Sequence, residues 1–204
     1  STRTPTLFPY TTLFRSVMLT VNNLTGNVGF GIDMINPKTG EHFFRKGGRT
    51  LSFLPLAHAY GCAFDFLACL AAGGHTHLIG RTPSPKILMK AFAEVKPTLI
   101  LSVPLILEKI YKKMIQPQIS RTAVSWVLKM PLLDKVVLNK IRETLVNAFG
   151  GEFSEIIIGG APLNAEVEAF LKRLKFPLTV GYGMTETAPL ISFTPWTEFR
   201  SQSC

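Results

Sequence analysis

The run from Glu155 to Ile158 restricts the fold of this chain more than any other feature, because it indicates a buried β-strand that turns directly into a helix. Its β-branched residues favour extended structure. Gly159 and Gly160 allow a sharp turn after the strand, and Asn164 is a suitable N-cap for a helix over 165–175. A strand followed by a helix is the repeating unit of α/β folds. We therefore expect that class.

Short apolar runs alternate with helical patterns along the rest of the chain. The predicted strands are Thr50 to Leu54, Thr76 to Ile79, Thr98 to Val103, Glu155 to Ile158 and Pro177 to Val180. The predicted helices are Pro85 to Val95, Leu105 to Ile115, Ala123 to Phe149 with a break at Pro131, and Ala165 to Lys175. This order favours a doubly wound, mostly parallel sheet flanked by helices.

A polar loop follows the last predicted strand. It spans Gly181 to Glu186 and contains an aromatic ring, a hydroxyl group and a carboxylate. Tyr182 can stack on a nucleobase, Thr185 can donate a hydrogen bond to a phosphate oxygen, and Glu186 is a hard oxygen ligand suited to Mg²⁺. The structural alternatives are a tyrosine that covers the edge of the core and a Thr-Glu pair that caps a helix.

A histidine motif follows the first predicted strand. It spans Leu54 to Gly61 and contains His58. A lone histidine in such a motif is more often structural than chemical. However, ligands of parallel sheets bind at the carboxyl ends of the strands. Because the segments around His58, Gly160 and Glu186 all follow strands, we expect them to meet at one edge of the sheet.

Composition excludes several classes of protein. The 204 residues are 47% hydrophobic and 17% charged, which is typical of a globular domain. The net charge of +9 favours anionic partners. Nucleic acid is not expected among them, because no nucleic-acid-binding signature is present. Pro55, Asp65 and Gly73 interrupt the apolar stretch over 51–80, so no transmembrane helix is predicted there.

The cysteines and the first 16 residues indicate the cellular compartment. Cys62, Cys69 and Cys204 are odd in number, and the first two lie in an apolar helical pattern, which indicates reduced thiols and no metal site. Residues 1–16 lack the basic start and apolar centre of a signal peptide. We expect a cytoplasmic protein, with peripheral contact at the inner membrane face as an alternative.

Two glycine-containing segments carry a family resemblance. Gly159 to Asn164 and Gly181 to Glu186 together resemble the adenylate-forming superfamily of acyl-CoA synthetases, in which a GGAP-like loop and a YGMTE-like loop lie along the nucleotide. Leu54 to Gly61 is similar to the family's histidine motif beside the acyl pocket, and Val17 to Leu24 is similar to the stretch after its phosphate loop. The resemblance covers 17–200 and implies part of an AMP-binding adenylation domain.

The resemblance implies roles for eight residues. Contact with the nucleotide is implied for Gly159, Gly160, Ala161, Tyr182, Gly183 and Thr185. Contact with the substrate is implied for His58, Gly160 and Gly183. Catalysis is assigned to Thr185 and Glu186, and Glu186 is also the expected Mg²⁺ ligand.

The resemblance also implies a two-step reaction for the parent protein. A carboxylate attacks the α-phosphorus of ATP to give an acyl-adenylate and pyrophosphate, and the thiol of CoA then displaces AMP to form a thioester. The long connection between Tyr111 and Glu155 is similar to that of long-chain members, so we expect a long-chain fatty acid as substrate. The alternatives are an acyl-AMP ligase that loads a carrier protein, a non-catalytic nucleotide-binding remnant, and a peripheral membrane module.

Both ends of the chain depart from the family pattern. Residues 1–16 resemble a translated sequencing adapter, and residues 201–204 match nothing in the family, so both are expected to be non-native. The family's phosphate loop, ribose-binding aspartate and small carboxy-terminal domain with its catalytic lysine have no counterpart in the sequence. We therefore expect residues 17–200 to be an internal fragment of the large amino-terminal domain that is inactive alone.

Overall fold

Five short strands form the centre of the fold. A computed structural model of the chain describes residues 17–80, 83–120, 133–198 and 200. The parallel strands are β1 Arg49–Ser52, β2 His75–Leu78, β3 Ile100–Ser102, β4 Ile156–Ile158 and β5 Leu178–Val180. All five predicted strands are confirmed, with ends that differ by about two residues at most, which is the usual uncertainty of such boundaries.

The strands form two hydrogen-bonded groups. β1 pairs in parallel with β2, with Arg49 opposite His75. The second group has the order β3-β4-β5 and is also parallel, with Ile100 opposite Ile156. The Thr98 amide donates to the Arg49 carbonyl over 2.8 Å and connects the two groups at their amino-terminal edge. The predicted α/β class with parallel sheets is confirmed, although the sheet is divided into a two-stranded and a three-stranded part.

Helices connect the strands and flank them. They are α1 Val21–Asp33, a π-helix Gly61–Ala68 that continues as α2 Cys69–Ala71, α3 Pro85–Val95, α4 Pro104–Met114, α5 Gln116–Ile119, α6 Leu133–Ala148 and α7 Ala165–Arg173. Two predicted N-caps are confirmed. Ser84 Oγ accepts a hydrogen bond from the Ile87 amide at the start of α3, and Asn164 Oδ1 accepts from the Glu166 and Val167 amides at the start of α7.

The helices differ from the prediction in three places. The second half of the helix predicted over 123–149 is α6, whereas its first part and the break at Pro131 lie outside the described residues. The sequence pattern does not predict α1, because three glycines in 13 residues lower its helix propensity. The apolar helical pattern around Cys62 and Cys69 predicts a helix there but not its π conformation, which has no simple sequence signature.

The three-stranded sheet is the most deeply buried part of the fold. Every residue of β3, β4 and β5 is buried, whereas β2 is largely exposed. The ring centroids of Phe92 and Phe149 lie 5.2 Å apart, and those of Phe149 and Phe176 lie 6.0 Å apart. Such aromatic pairs contribute about 0.5–1.5 kcal/mol each beyond area burial. The loops that leave β4 and β5 therefore start from a firmly packed base.

The described residues also bear on membrane-spanning helices and on the state of the cysteines. Within the described ranges, no helix combines the length and the hydropathy that crossing a bilayer requires. Cys62 is half-buried and Cys69 is buried, and both are free thiols. Cys204 lies outside the described residues.

Candidate functional site

Two neighbouring cavities lie where the chain leaves the strands at their carboxyl ends. The first has a volume of about 300 Å³. Six of the eight predicted site residues line it: His58, Gly159, Gly160, Gly183, Thr185 and Glu186. Three segments that are far apart in the sequence therefore meet at one cavity, as expected for loops that follow parallel strands.

The second cavity, of about 440 Å³, lies beside the first. Ala161, the seventh predicted residue, lines it together with Pro162 and the start of α4. His58, Tyr60 and Gly160 line both cavities and therefore form the partition between them.

A β-hairpin carries the polar loop. β6 Tyr182–Gly183 pairs antiparallel with β7 Leu190–Ser192, and a 3₁₀-helix Thr185–Thr187 lies between them. The sequence predicts Tyr182 and Gly183 as loop residues, whereas the structure has them in a short strand. A Cβ atom at Gly183 would lie 2.1 Å from the Pro189 carbonyl oxygen, so this close approach of two backbones requires glycine.

Thr185 and Glu186 are adjacent in the 3₁₀-helix at the mouth of the first cavity. Thr185 is half-buried and Glu186 is exposed. The cap of the turn is made instead by Thr187, whose Oγ1 accepts a hydrogen bond from the Met184 amide over 3.3 Å. The capping alternative for Thr185 and Glu186 therefore does not describe this loop. Their side chains remain available to a ligand.

Tyr182 lies apart from the other predicted residues. It lines neither of the two cavities, and 45% of its surface is exposed. Gly183, the next residue, does line the first cavity. Successive residues of a strand point to opposite sides, which accounts for the difference. Stacking of Tyr182 on a base stays a prediction.

The two glycines after β4 allow a close approach to the cavity wall. Gly160 has a φ angle of +88°, a conformation that L-residues with side chains rarely adopt. A Cβ atom at Gly159 would lie 3.1 Å from the ring of Tyr60. The backbone at the end of β4 is therefore packed against an aromatic ring and leaves open space on its other side.

His58 is held by its own backbone and by its neighbour. Its amide donates to the Pro55 carbonyl over 3.0 Å, and its Nδ1 accepts a hydrogen bond from the Tyr60 amide over 3.3 Å. Because Nδ1 is the acceptor, the neutral ring carries its proton on Nε2. The exposed imidazole can therefore offer one N–H donor at the boundary of the two cavities.

Tyr60 is a site residue that the sequence interpretation leaves without a role. Its hydroxyl donates to the Ile157 carbonyl over 3.0 Å, and its side chain is buried. Burial, and after it the charge of Asp65, raises the pKa of Tyr60, so the phenol stays neutral. The available signal was its position two residues after His58 in the histidine motif.

Large apolar residues form the inner end of the first cavity. Phe44 and Phe64 are each 3% exposed, Leu101 is 2% exposed and Met34 is 8% exposed. The mouth, by contrast, contains the exposed Glu186 and His58. The cavity is therefore polar at its entrance and apolar at depth. No single motif indicates the inner residues, since they come from separate parts of the chain.

The π-helix that contributes Phe64 to the first cavity also contains a buried carboxyl group. Asp65, in the π-helix, is completely buried, and neither of its oxygens makes a hydrogen bond of ordinary geometry among the described residues. Burial raises its pKa to about 7, and the nearby Ser52, Leu54 and Phe53 oppose that rise. The group is accordingly neutral through the acidic range.

The single carboxylate at the mouth of the first cavity suits a cation that also binds the phosphate groups of a substrate. Within the described ranges, no group of three or more His, Cys, Asp or Glu side chains could hold a metal ion alone. Mg²⁺ commonly takes one or two protein carboxylates and completes its shell with water and substrate phosphates. The single carboxylate of Glu186 fits that arrangement.

Curated relatives of this chain are long-chain acyl-CoA ligases. It is 30% identical over 180 aligned residues to the long-chain-fatty-acid–CoA ligase FadD15 of Mycobacterium bovis, which covers 76% of this chain and 29% of the relative. It is 33% identical over 198 residues to long-chain-fatty-acid–CoA ligase 2 of Schizosaccharomyces pombe, which covers 85% of this chain and 27% of the relative. The chain thus spans less than a third of the relatives' length.

Solved structures share the fold at lower identity. The A-PCP didomain of carboxylic acid reductase from Segniliparus rugosus, in complex with AMP, matches with a TM-score of 0.61 at 24% identity and covers 85% of this chain and 22% of that one. Apo MatB from Rhodopseudomonas palustris matches with a TM-score of 0.58 at 21% identity and covers 90% of this chain and 29% of that one. These matches support the fold of the described strands and helices.

A family model settles the assignment that the cavity and its loops indicate. The model of the AMP-binding enzyme family matches residues 15–204, which is nearly the whole chain. This match shows that the chain belongs to the AMP-binding enzyme family.

Proposed function

We propose that this chain forms the nucleotide- and acyl-binding part of an acid–thiol ligase that activates a long-chain fatty acid as its CoA thioester. The observation that carries the proposal is the polarity of the first cavity. Thr185 and Glu186 lie at its mouth, and Phe44 and Phe64 close its inner end. A carboxylic acid with an apolar tail has the same polarity along its length.

The first step transfers the adenylyl group of ATP to the carboxylate of the acid. A carboxylate oxygen of the fatty acid attacks the α-phosphorus of ATP, the bond to the bridging oxygen breaks, and pyrophosphate leaves with the electron pair. Catalysis of such transfers depends on positioning and on neutralising charge on the phosphoryl oxygens. Thr185 would donate a hydrogen bond to an α-phosphate oxygen. Glu186 would hold Mg²⁺, which when bound neutralises phosphate charge.

The nucleotide base would lie at the outer face of the hairpin, where the exposed ring of Tyr182 lies. Tyr182 is nearly half exposed, so its ring is free to stack on adenine, an interaction worth about 1–3 kcal/mol. Gly159, Gly160 and Ala161 line the two cavities without bulky side chains and would let the rest of the nucleotide approach the backbone after β4. His58 would donate a hydrogen bond from its Nε2–H group to the acid or to the carbonyl oxygen of the adenylate.

The second step needs access for a thiol. We assign CoA as the acceptor in the parent enzyme because the two curated relatives described above are CoA ligases by name. The thiol sulfur attacks the acyl carbonyl and releases its proton to water, and AMP leaves with the electrons of the broken acyl–phosphate bond. Transfer to a carrier protein is the competing outcome.

ATP–pyrophosphate exchange tests this function. The protein expressed from the complete reading frame should catalyse exchange that depends on added carboxylic acid, with a maximum at long-chain fatty acids, and should then form acyl-CoA. A maximum at acetate or an aromatic acid would overturn the long-chain substrate. Loading of a carrier protein without any acyl-CoA would overturn CoA as the acceptor. Binding of AMP without exchange would indicate a nucleotide-binding remnant.

A further inference from the structure

One side chain of α1 holds the polar loop at two points. Asn27 Nδ2 donates to the Thr187 carbonyl over 2.8 Å, and Asn27 Oδ1 accepts from the Leu190 amide over 2.8 Å. Asn27 is 160 residues from the first partner and 163 from the second. Both bonds have ordinary N–H···O lengths and are partly shielded from water. The amide thus bridges the two ends of the segment that follows Glu186.

The bonds within the hairpin shape the turn but do not tie it to the rest of the molecule. The Met184 amide donates to the Pro189 carbonyl over 2.9 Å, and Thr187 Oγ1 donates to the Met184 carbonyl. Both partners of each bond belong to the hairpin itself. The two bonds from Asn27 reach the turn from outside it.

α1 also packs closely against the opposite wall of the first cavity. A Cβ atom at Gly31 would lie 2.9 Å from the ring of Phe64, so α1 and the π-helix approach each other closely there. Phe64 lines the cavity, as does Met34, the C-cap residue of α1. Because a helix is stiff, α1 fixes the distance between the π-helix wall and the loop.

We propose that Asn27 is a positioning residue that holds the loop of Thr185 and Glu186 in the geometry required for the nucleotide. This role rests on the proposed function, because it concerns nucleotide binding at that loop. The residue type matters, since a carboxamide supplies one donor group and one acceptor in a fixed geometry. Asn27→Asp keeps the acceptor for Leu190 and loses the donor to Thr187. Asn27→Leu has a similar size and loses both.

Two measurements on the purified chain test the proposal. Hydrogen exchange reports the protection of the Leu190 amide, and calorimetry reports the affinity for AMP. In Asn27→Leu we expect the Leu190 amide to exchange about tenfold faster, because losing a hydrogen bond worth about 1.4 kcal/mol corresponds to a factor of ten. AMP affinity should fall about tenfold, because the competent loop becomes a minor population. Asn27→Asp should leave Leu190 protected and lower the affinity less.

Asn22→Leu is the matched control, since Asn22 lies on the same helix with an exposed side chain. It should change neither measurement. Unchanged exchange at Leu190 in Asn27→Leu would overturn the contact itself. Faster exchange with unchanged AMP affinity would overturn the positioning role while leaving the proposed function intact. Absence of AMP binding by the unsubstituted chain would overturn the positioning role of Asn27, whereas ATP–pyrophosphate exchange by the protein from the complete reading frame decides the proposed function separately.

Discussion

The hydroxyl of Tyr60 donates a hydrogen bond of 3.0 Å to the carbonyl of Ile157, which ties the start of the π-helix to the middle of β4. The same ring packs against Gly159 at the end of that strand and separates the two cavities. One buried side chain therefore couples the histidine motif to the glycine turn. The stability of this wall depends on that bond.

Replacing Tyr60 with phenylalanine should lower the free energy of unfolding by about 1–2 kcal/mol. The ring is retained, but the Ile157 carbonyl loses one of its donors, and a buried hydrogen bond of this kind contributes roughly 1 kcal/mol. Urea unfolding of both proteins measures the difference. Tyr182→Phe is the control, since its hydroxyl belongs to a largely exposed residue and its removal should change stability by less than about 0.5 kcal/mol. Equal effects at both positions would contradict this account.

Gly183→Ala should disrupt the hairpin. The new methyl group would lie 2.1 Å from the Pro189 carbonyl oxygen, so β6 and β7 must separate. We expect loss of AMP binding and a destabilisation above about 2 kcal/mol, measured by calorimetry and thermal unfolding. Gly29→Ala in α1 is the matched control, because nothing lies within 4 Å of its Cβ position. It should raise stability by about 0.5–1 kcal/mol, since alanine favours helix. Unchanged stability and AMP binding in Gly183→Ala would show that the hairpin does not require glycine at this position.

Local patterns predict the parts of the site that depend on neighbouring residues. The β-branched run before Gly159 predicts β4, and Asn164 predicts the start of α7, because strand propensity and capping act over a few residues. The order of strands and helices then predicts that the loops meet at one edge. His58, Gly160 and Thr185 accordingly lie at one cavity.

Long-range packing explains the residues that the sequence patterns miss. Phe44 and Phe64 read as ordinary core residues, and only the folded chain brings both to the cavity. The local structure of Tyr182 is also set by long-range pairing. Its motif predicts a loop, whereas pairing with Ser192 makes it part of a strand. The outward direction of its side chain follows from that pairing.

Glu186→Gln should weaken binding of ATP in the presence of Mg²⁺ and leave Mg²⁺-independent AMP binding nearly unchanged. The amide keeps the size of the side chain but removes the charge that a hard cation prefers. We expect about a tenfold loss of magnesium-dependent affinity, measured by calorimetry with and without the metal. Glu143→Gln, at an exposed carboxylate of α6, controls for the change in net charge. An equal loss for AMP without magnesium would contradict metal ligation by Glu186.

Glu155 should tolerate glutamine far better than alanine. Its Oε1 accepts from the Trp196 amide over 2.9 Å, its Oε2 has no partner among the described residues, and burial raises its pKa to about 8. At pH 6.5 the carboxyl group is therefore protonated, and glutamine supplies the same acceptor. Urea unfolding should give Glu155→Gln a stability within about 1 kcal/mol of the parent. Glu155→Ala should lose about 2–4 kcal/mol through the unsatisfied Trp196 amide and the hole. Similar losses in both variants would show that the charge is required.

Asp65→Asn should stabilise the chain increasingly as the pH rises from about 4 to 7. The folded pKa of Asp65 is about 7, against 3.8 for the exposed group, so the folded chain keeps a proton that the unfolded chain has released. Unfolding then releases that proton, and the free energy of unfolding falls with rising pH by about 1.4 kcal/mol per unit in this interval. Asparagine removes this dependence. The stability difference between the two proteins, from urea unfolding at each pH, should be small near pH 4 and constant above pH 7. Asp33→Asn, at an exposed site, controls for the lost charge. A difference that is independent of pH would mean that the buried carboxyl group is already ionised and stabilised in the folded chain.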